Sequence, residues 1–146
     1  MSNAPTAPGT LPPERGHGET ILLIEDEAGV REMVRMLLEF RGFRALVAES
    51  GAHGLALYQE NRDSVKAIVT DMKMPAMHGM QVIQELRRIN PDARIVAMSG
   101  IIDGHSRFAV EPGRLAYLPK PMTSSELVGA LQSVLAAQPA TSGAQS

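Results

Sequence analysis

Five side chains in this 146-residue chain have the types and positions to act together: Glu25, Asp26, Asp71, Ser99 and Lys120. Each follows a short apolar run. Ile21–Ile24 leads into Glu25-Asp26-Glu27, Ala67–Thr70 into Asp71, Arg94–Met98 into Ser99-Gly100, and Leu115–Leu118 into Pro119-Lys120-Pro121. Three carboxylates brought together repel one another and raise one another's pKa. A hard divalent cation relieves this, and Mg²⁺ favours one or two carboxylates together with waters and phosphate oxygens. With a lysine and a hydroxyl to hold transferred oxygens, the inventory matches phosphoryl transfer onto a carboxylate. A carboxylate is an anion at neutral pH, so such a nucleophile needs no base. Taken singly, each residue has a plainer reading. Glu25 and Asp26 could cap a helix, Lys120 could be a solvated turn lysine, and Ser99 alone says nothing.

The elements that would carry these groups can be read in order. Ile21–Ile24 has the continuous apolar pattern of a strand buried on both faces. Val30, Met33, Val34, Leu37 and Leu38 recur at helical spacing, predicting a helix from Ala28 to about Phe40. Gly42 follows as its C′ residue. Phe43–Ala48 reads as a second strand, and Ser50 caps a helix running to about Asn61. Lys66–Thr70 is the third strand, and a loop closed by Pro75 and Gly79 follows Asp71. Met80–Ile89 reads as a helix with Val82, Ile83 and Leu86 inward and Gln84, Glu85, Arg87 and Arg88 outward, stopped by Asn90-Pro91. Arg94–Met98 and Leu115–Leu118 are the fourth and fifth strands. Thr123-Ser-Ser-Glu126 is a capping box opening a helix to about Ala137, with Leu127, Leu131 and Leu135 as its stripe.

Strand and helix alternate five times, which implies parallel strands joined by right-handed crossovers. All the strand ends named above then share one edge of the sheet, where open α/β sheets bind their ligands. One interval departs from the pattern. Ile101–Arg114 carries Gly104, Pro112 and Gly113 and little periodicity, so a short or irregular fourth helix of one or two turns is expected around His105–Val110.

Composition narrows the function classes. A net charge of -2 and a pI near 6.1 give no basic footprint for nucleic acid. The absence of cysteine excludes disulfides, thiolate chemistry and cysteine-based metal sites. No apolar run reaches the roughly 18 residues of a membrane span, and the N-terminus lacks the order of a signal peptide. A soluble, cytoplasmic protein is the expectation. Residues 1–18, with four prolines and almost nothing large and apolar, read as a flexible linker or tail, and 138–146 as another. One domain, 19–137, lies between them. Met72, Met74, Met77 and Met80 read as packing residues. His17, His53, His78 and His105 are scattered, without the pairing of a ligand set.

Four motifs in order carry a family resemblance: Leu22-Leu-Ile-Glu25-Asp26-Glu27, Val69-Thr-Asp71-Met-Lys73-Met-Pro75 with Gly79 beyond it, Val96-Ala-Met-Ser99-Gly100, and Tyr117-Leu-Pro-Lys120-Pro121. Together they make the chain resemble a receiver domain of the two-component response regulators, over residues 20–137. The resemblance implies a flavodoxin-like (βα)5 doubly wound sheet of five parallel strands in the order 2-1-3-4-5. It implies Asp71 as the phospho-acceptor, charged by a histidine kinase or a histidine phosphotransfer domain. Mg²⁺ would be held by Asp26, by Glu25 directly or through a water, by Asp71 and by the backbone carbonyl of Lys73. Ser99 and Lys120 would each contact a phosphoryl oxygen. Tyr117 would be the switch aromatic that turns inward as Ser99 moves, and the Lys120–Pro121 bond would be cis. Receivers of this kind often dimerise weakly on phosphorylation. No direct contact with nucleic acid or membrane is implied.

The chain departs from the family pattern at three places. Glu25 stands where Asp is more frequent, His78 replaces a frequent Asp before Gly79, and Lys73 puts a cation two residues after Asp71. In the family, phosphorylation is read out by the face of the fourth helix, fifth strand and fifth helix, so an irregular Ile101–Arg114 puts the usual output mode in question. No effector region is expected after the last helix. The expected contexts are a stand-alone regulator or the C-terminal receiver of a hybrid sensor histidine kinase, which the Pro/Gly-rich lead-in resembles. Two other readings compete with a signalling phospho-acceptor that is not a metabolic enzyme. One is a pseudo-receiver that is never phosphorylated, against which the intact Asp26, Asp71, Ser99 and Lys120 argue. The other is an aspartyl-nucleophile phosphohydrolase, which usually has a second acid where this chain has Lys73.

Overall fold

The computed structural model describes residues 16–74, 77–100 and 114–136. Five strands, β1 (Thr20–Ile24), β2 (Arg44–Ala48), β3 (Val65–Asp71), β4 (Ile95–Ser99) and β5 (Leu115–Pro119), form one parallel sheet in the order β2-β1-β3-β4-β5. Helices α1 (Ala28–Phe40), α2 (Gly51–Glu60) and α3 (Gly79–Ile89) follow the first three strands, and α4 (Ser124–Leu135) follows the last. This is the flavodoxin-like order expected from the resemblance. The segment expected to hold a short helix, 101–113, lies outside the described residues, as do the bulk of both tails.

Alternation along the strands divides the core into two layers. Ile21, Leu23, Ala67, Val69, Val96 and Met98 face α1 and α4, where Val34, Leu38, Leu127, Val128 and Leu131 pack against them. Leu22, Ile24, Ile68, Ile95 and Ala97 face the other way, onto Tyr58 of α2 and Val82, Ile83 and Leu86 of α3. Both faces are covered, which is why the strands read as unbroken apolar runs rather than alternating ones.

Local signals set the helix ends as expected. Gly42 adopts φ +92°, and a Cβ there would stand 2.6 Å from the Gly16 carbonyl oxygen. Only glycine tolerates both the left-handed backbone and that approach. Gly16 and Gly18 in turn donate to the carbonyls of Arg41 and Gly42, at 2.6 and 2.8 Å, tying the residues ahead of β1 to this turn. The Ser50 hydroxyl accepts from the His53 amide at 3.1 Å. In the capping box of α4, Thr123 Oγ1 accepts from Glu126 N at 3.0 Å, and Glu126 Oε1 accepts from Thr123 N at 2.9 Å.

One residue of the α1 repeat lies outside the core, and one expectation is corrected. Met33, though at helical spacing with the buried positions, is 43% exposed. It lies roughly 100° round the helix from the buried Val34, outside the stripe that α1 presents to the sheet. Arg87 is not simply turned to solvent. Its guanidinium donates to the carbonyls of Ala93 and Arg114, both at 3.1 Å, and so pins the segments entering β4 and β5.

Candidate functional site

Parallel register brings the polar strand ends to one edge. Ile24 pairs with both Ala48 and Thr70, Asp71 pairs with Met98, and Ser99 pairs with Pro119. Glu25 and Asp26 therefore follow β1 beside Asp71 at the end of β3, with Ser99 and Lys120 beyond them on β4 and after β5. Backbone bonds lock this edge. Met72 N donates to Met98 O at 2.9 Å, and Lys120 N to Ser99 O at 2.8 Å. The Lys120–Pro121 bond is cis.

Glu25, Asp26 and Asp71 each offer a carboxylate oxygen within 4.8 Å of the other two. Their exposure differs sharply. Glu25 is fully buried and Asp71 is 4% exposed, whereas Asp26 is open to solvent. Lys120 Nζ reaches into the cluster, 3.2 Å from Asp71 Oδ1 and 3.3 Å from Glu25 Oε1. Glu27 N donates to Glu25 Oε2 at 3.1 Å, and Lys73 N to Asp71 Oδ1 at 3.3 Å. Glu25 and Asp71 thus share one lysine and take one amide each, and Asp26 adds a third carboxylate beside them.

The electrostatics follow from that shortage. Burial, reinforced by the nearby charge of Asp71, pushes the Glu25 carboxyl up to about 7, against the opposing pull of the Glu27 amide and Lys120. Burial works against the Lys120 ammonium, but Asp71 and Glu25 outweigh it and hold the ammonium above its usual range. A site that leaves a buried acid part-protonated is short of positive charge. An all-oxygen donor set with two nearly buried carboxylates suits a hard divalent cation such as Mg²⁺.

Close packing fixes the loop after Asp71. A Cβ at Gly79 would stand 2.6 Å from Met72 Cα and 2.9 Å from the Asp71 carbonyl oxygen. Only glycine lets α3 begin this near the acid, and Gly79 N donates to Met72 O at 3.1 Å. Pro75, expected to help close this loop, lies outside the described residues.

Tyr117 is part-buried on the α2–α3 side of the sheet, and its hydroxyl is buried without a hydrogen-bond partner among the described residues. Burial also raises the pKa of that phenol.

One contributor escaped the sequence reading. Arg31, on the first turns of α1, donates from Nη1 to the carbonyls of Glu25 (2.8 Å) and Asp26 (3.4 Å), clamping the loop that presents both acids. Its spacing of five residues from Asp26 was visible, but nothing in sequence says that a helix arginine bends back onto carbonyls.

Comparison with known proteins agrees with this arrangement. Residues 21–132 match the family model described as the response regulator receiver domain. The chain is 33% identical over 116 residues to the response regulator MprA of Mycobacterium sp. (strain KMS), covering 79% of this chain and 50% of that protein. It is 32% identical over 120 residues to the sensor kinase CckA of Brucella abortus (strain 2308), covering 82% of this chain and 13% of that one. It therefore spans half or less of the length of these two relatives. Among solved structures, a response regulator receiver domain protein from Clostridium thermocellum superimposes with a TM-score of 0.74 at 32% identity, covering 80% of this chain and 93% of that one.

Proposed function

The chain belongs to the response regulator receiver domain family of two-component systems, and on that premise we propose that it accepts a phosphoryl group on Asp71 from a phosphohistidine donor. The observation that carries this reading is the shared lysine: Lys120 Nζ spans Asp71 and Glu25 at 3.2 and 3.3 Å inside a cluster of three acids. A receiver is a signalling domain rather than a metabolic enzyme. An oxygen of the Asp71 carboxylate attacks phosphorus, the P–N bond to the donor imidazole breaks, and the imidazole nitrogen keeps the electron pair and takes up a proton. Lys120 then exchanges its contact with Asp71 for one with a phosphoryl oxygen, and Ser99 holds another. Mg²⁺, when bound, supplies charge neutralisation for the incoming phosphoryl oxygens. Glu25, Asp26, Asp71 and the Lys73 carbonyl are the groups that would hold it.

The proposed donor is a histidine kinase or histidine phosphotransfer domain. A docking strip that suits it begins just past the acidic loop, where Met33, Met36 and Phe40 stand 43, 56 and 76% exposed along α1. Tyr117 is the proposed switch residue, since its hydroxyl, without a partner among the described residues, is ready to take one in a second position. The output is a two-state surface, with weak homodimerisation on phosphorylation. Among the described residues no helix is long and apolar enough to cross a membrane.

The test is intact mass after incubation with acetyl phosphate, with and without Mg²⁺. The expected result is a single labile phosphoryl adduct that needs Mg²⁺ and is absent in Asp71→Asn. An adduct that survives in Asp71→Asn sinks the assignment, and no adduct in a folded wild type favours a pseudo-receiver.

A further inference from the structure

An opening lies at the far edge of the sheet. A cavity of about 400 Å³ opens between the α2–β3 and α3–β4 turns, where β3 and β4 begin. Val65, at the start of β3, lines it six residues before Asp71, roughly 20 Å along the strand. Its floor is the buried apolar trio Val65, Ile68 and Ala93.

The polar groups of this cavity converge on one chemistry. Tyr58 is 2% exposed, and its hydroxyl oxygen accepts from Asn90 Nδ2 at 2.9 Å; both residues line the cavity. The Asn90 side-chain carbonyl is itself taken by the Asp92 amide at 3.0 Å, which fixes the orientation of the Asn90 amide. The phenol can therefore accept from Asn90 but not donate to it, and its proton has no acceptor among the described residues. A buried tyrosine hydroxyl ordinarily donates as well as accepts.

The surrounding charges select the partner. Asp92 pairs with Arg114 at 3.6 Å, and Arg94 donates to the Val134 and Leu135 carbonyls at the end of α4 (2.5 and 3.2 Å). Those carbonyls are neutral, so Arg62, Lys66 and Arg94 outnumber Asp63 at the opening by two positive charges. That excess selects an anion, and the apolar floor favours one with an apolar body over a bare oxyanion.

We propose that this cavity binds a small organic carboxylate with an apolar body. The carboxylate accepts the Tyr58 proton and pairs with Lys66 or Arg62, while the body rests on Val65, Ile68 and Ala93. The volume is that of about thirteen waters, ample for a one-ring acid. Tyr58 and Asn90, one from each side of the opening, tie α2 to α3, so an occupant bridges the layer facing away from α1 and α4.

Benzoate is a suitable probe, titrated into the full chain at constant ionic strength and followed by amide-resolved NMR, with inorganic phosphate as the comparison. Saturable shifts are expected at residues 61–66 and 90–94, with affinity about tenfold weaker in Tyr58→Phe and in Lys66→Gln, the loss typical of a hydrogen bond or ion contact to a charged group. Lys66 is exposed, so its variant reads the site even if Tyr58→Phe loosens the core. The proposal is overturned if no shifts appear, if they centre on Asp71 and Lys120, if both variants bind as the wild type does, or if phosphate shifts these amides as strongly as benzoate.

Discussion

Lowering the pH from 8 to 6 should weaken Mg²⁺ binding through a single residue, Glu25. Its carboxyl stands at about 7 because burial outweighs the amide and lysine that favour its charge. A group with that value is about nine-tenths ionised at pH 8, about half at pH 7 and about a tenth at pH 6. If the ion is held by the ionised form, affinity falls about tenfold over that range, and binding at pH 7 releases about half a proton. Stability of the metal-free protein moves in the opposite sense from that of an ion-paired acid. A carboxyl raised from 4.5 to about 7 on folding holds its proton more tightly in the native state. Its contribution is full below pH 4.5 and is lost as the pH climbs through 7, a span of about 3 kcal/mol at 1.36 kcal/mol per unit. Glu25→Gln should therefore stabilise the metal-free protein at pH 8 by up to about that amount, while weakening Mg²⁺ binding and abolishing its pH dependence. Because the chain has no tryptophan, calorimetry is the assay: Mg²⁺ titrations in buffers of different ionisation enthalpy, with thermal unfolding from pH 5 to 8. Proton release below about 0.1 at pH 7 together with a flat affinity would refute the reasoning. So would a Glu25→Gln protein that keeps the wild-type pH dependence.

Three further outcomes follow from particular side chains. Phe40→Glu, at a position 76% exposed, should leave acetyl phosphate uptake and stability within about 0.5 kcal/mol unchanged yet slow phosphotransfer from a phosphohistidine donor, as stopped-time transfer assays would show. Gly42→Ala meets both the φ of +92° and the Gly16 carbonyl oxygen at 2.6 Å, so denaturant unfolding should show a loss of about 1–3 kcal/mol. Tyr117→Phe removes a buried hydroxyl that has no partner among the described residues and should gain about 1 kcal/mol, or about 4 °C in Tm, without affecting phosphate uptake.

Much of this was legible in sequence, because it depends on near neighbours along the chain. Unbroken apolar runs identify β1, β3 and β4 whatever surrounds them, and Ser50, Gly42 and the Thr123–Glu126 pair act on amides or dihedrals within three or four residues. That the acids, the serine and the lysine each end a strand could be read directly, and parallel connectivity then put them on one edge. The tertiary structure decided what depends on distant partners. Glu25 and Asp26 are neighbours in sequence, yet one is fully buried and the other open to water, because only Glu25 turns in beneath Lys120, 95 residues away. Arg87 and Arg31 look like solvent-facing helix residues until their carbonyl partners arrive from other segments. Met33 fits a helical repeat and still lies outside the core, since the repeat does not say how wide a stripe the sheet can cover. Tyr58 and Asn90 meet across 32 residues, and their spacing carries no periodicity to betray it. Local chemistry follows from the order of residues; burial, and with it the charge state of Glu25, follows only from which distant segment excludes the water.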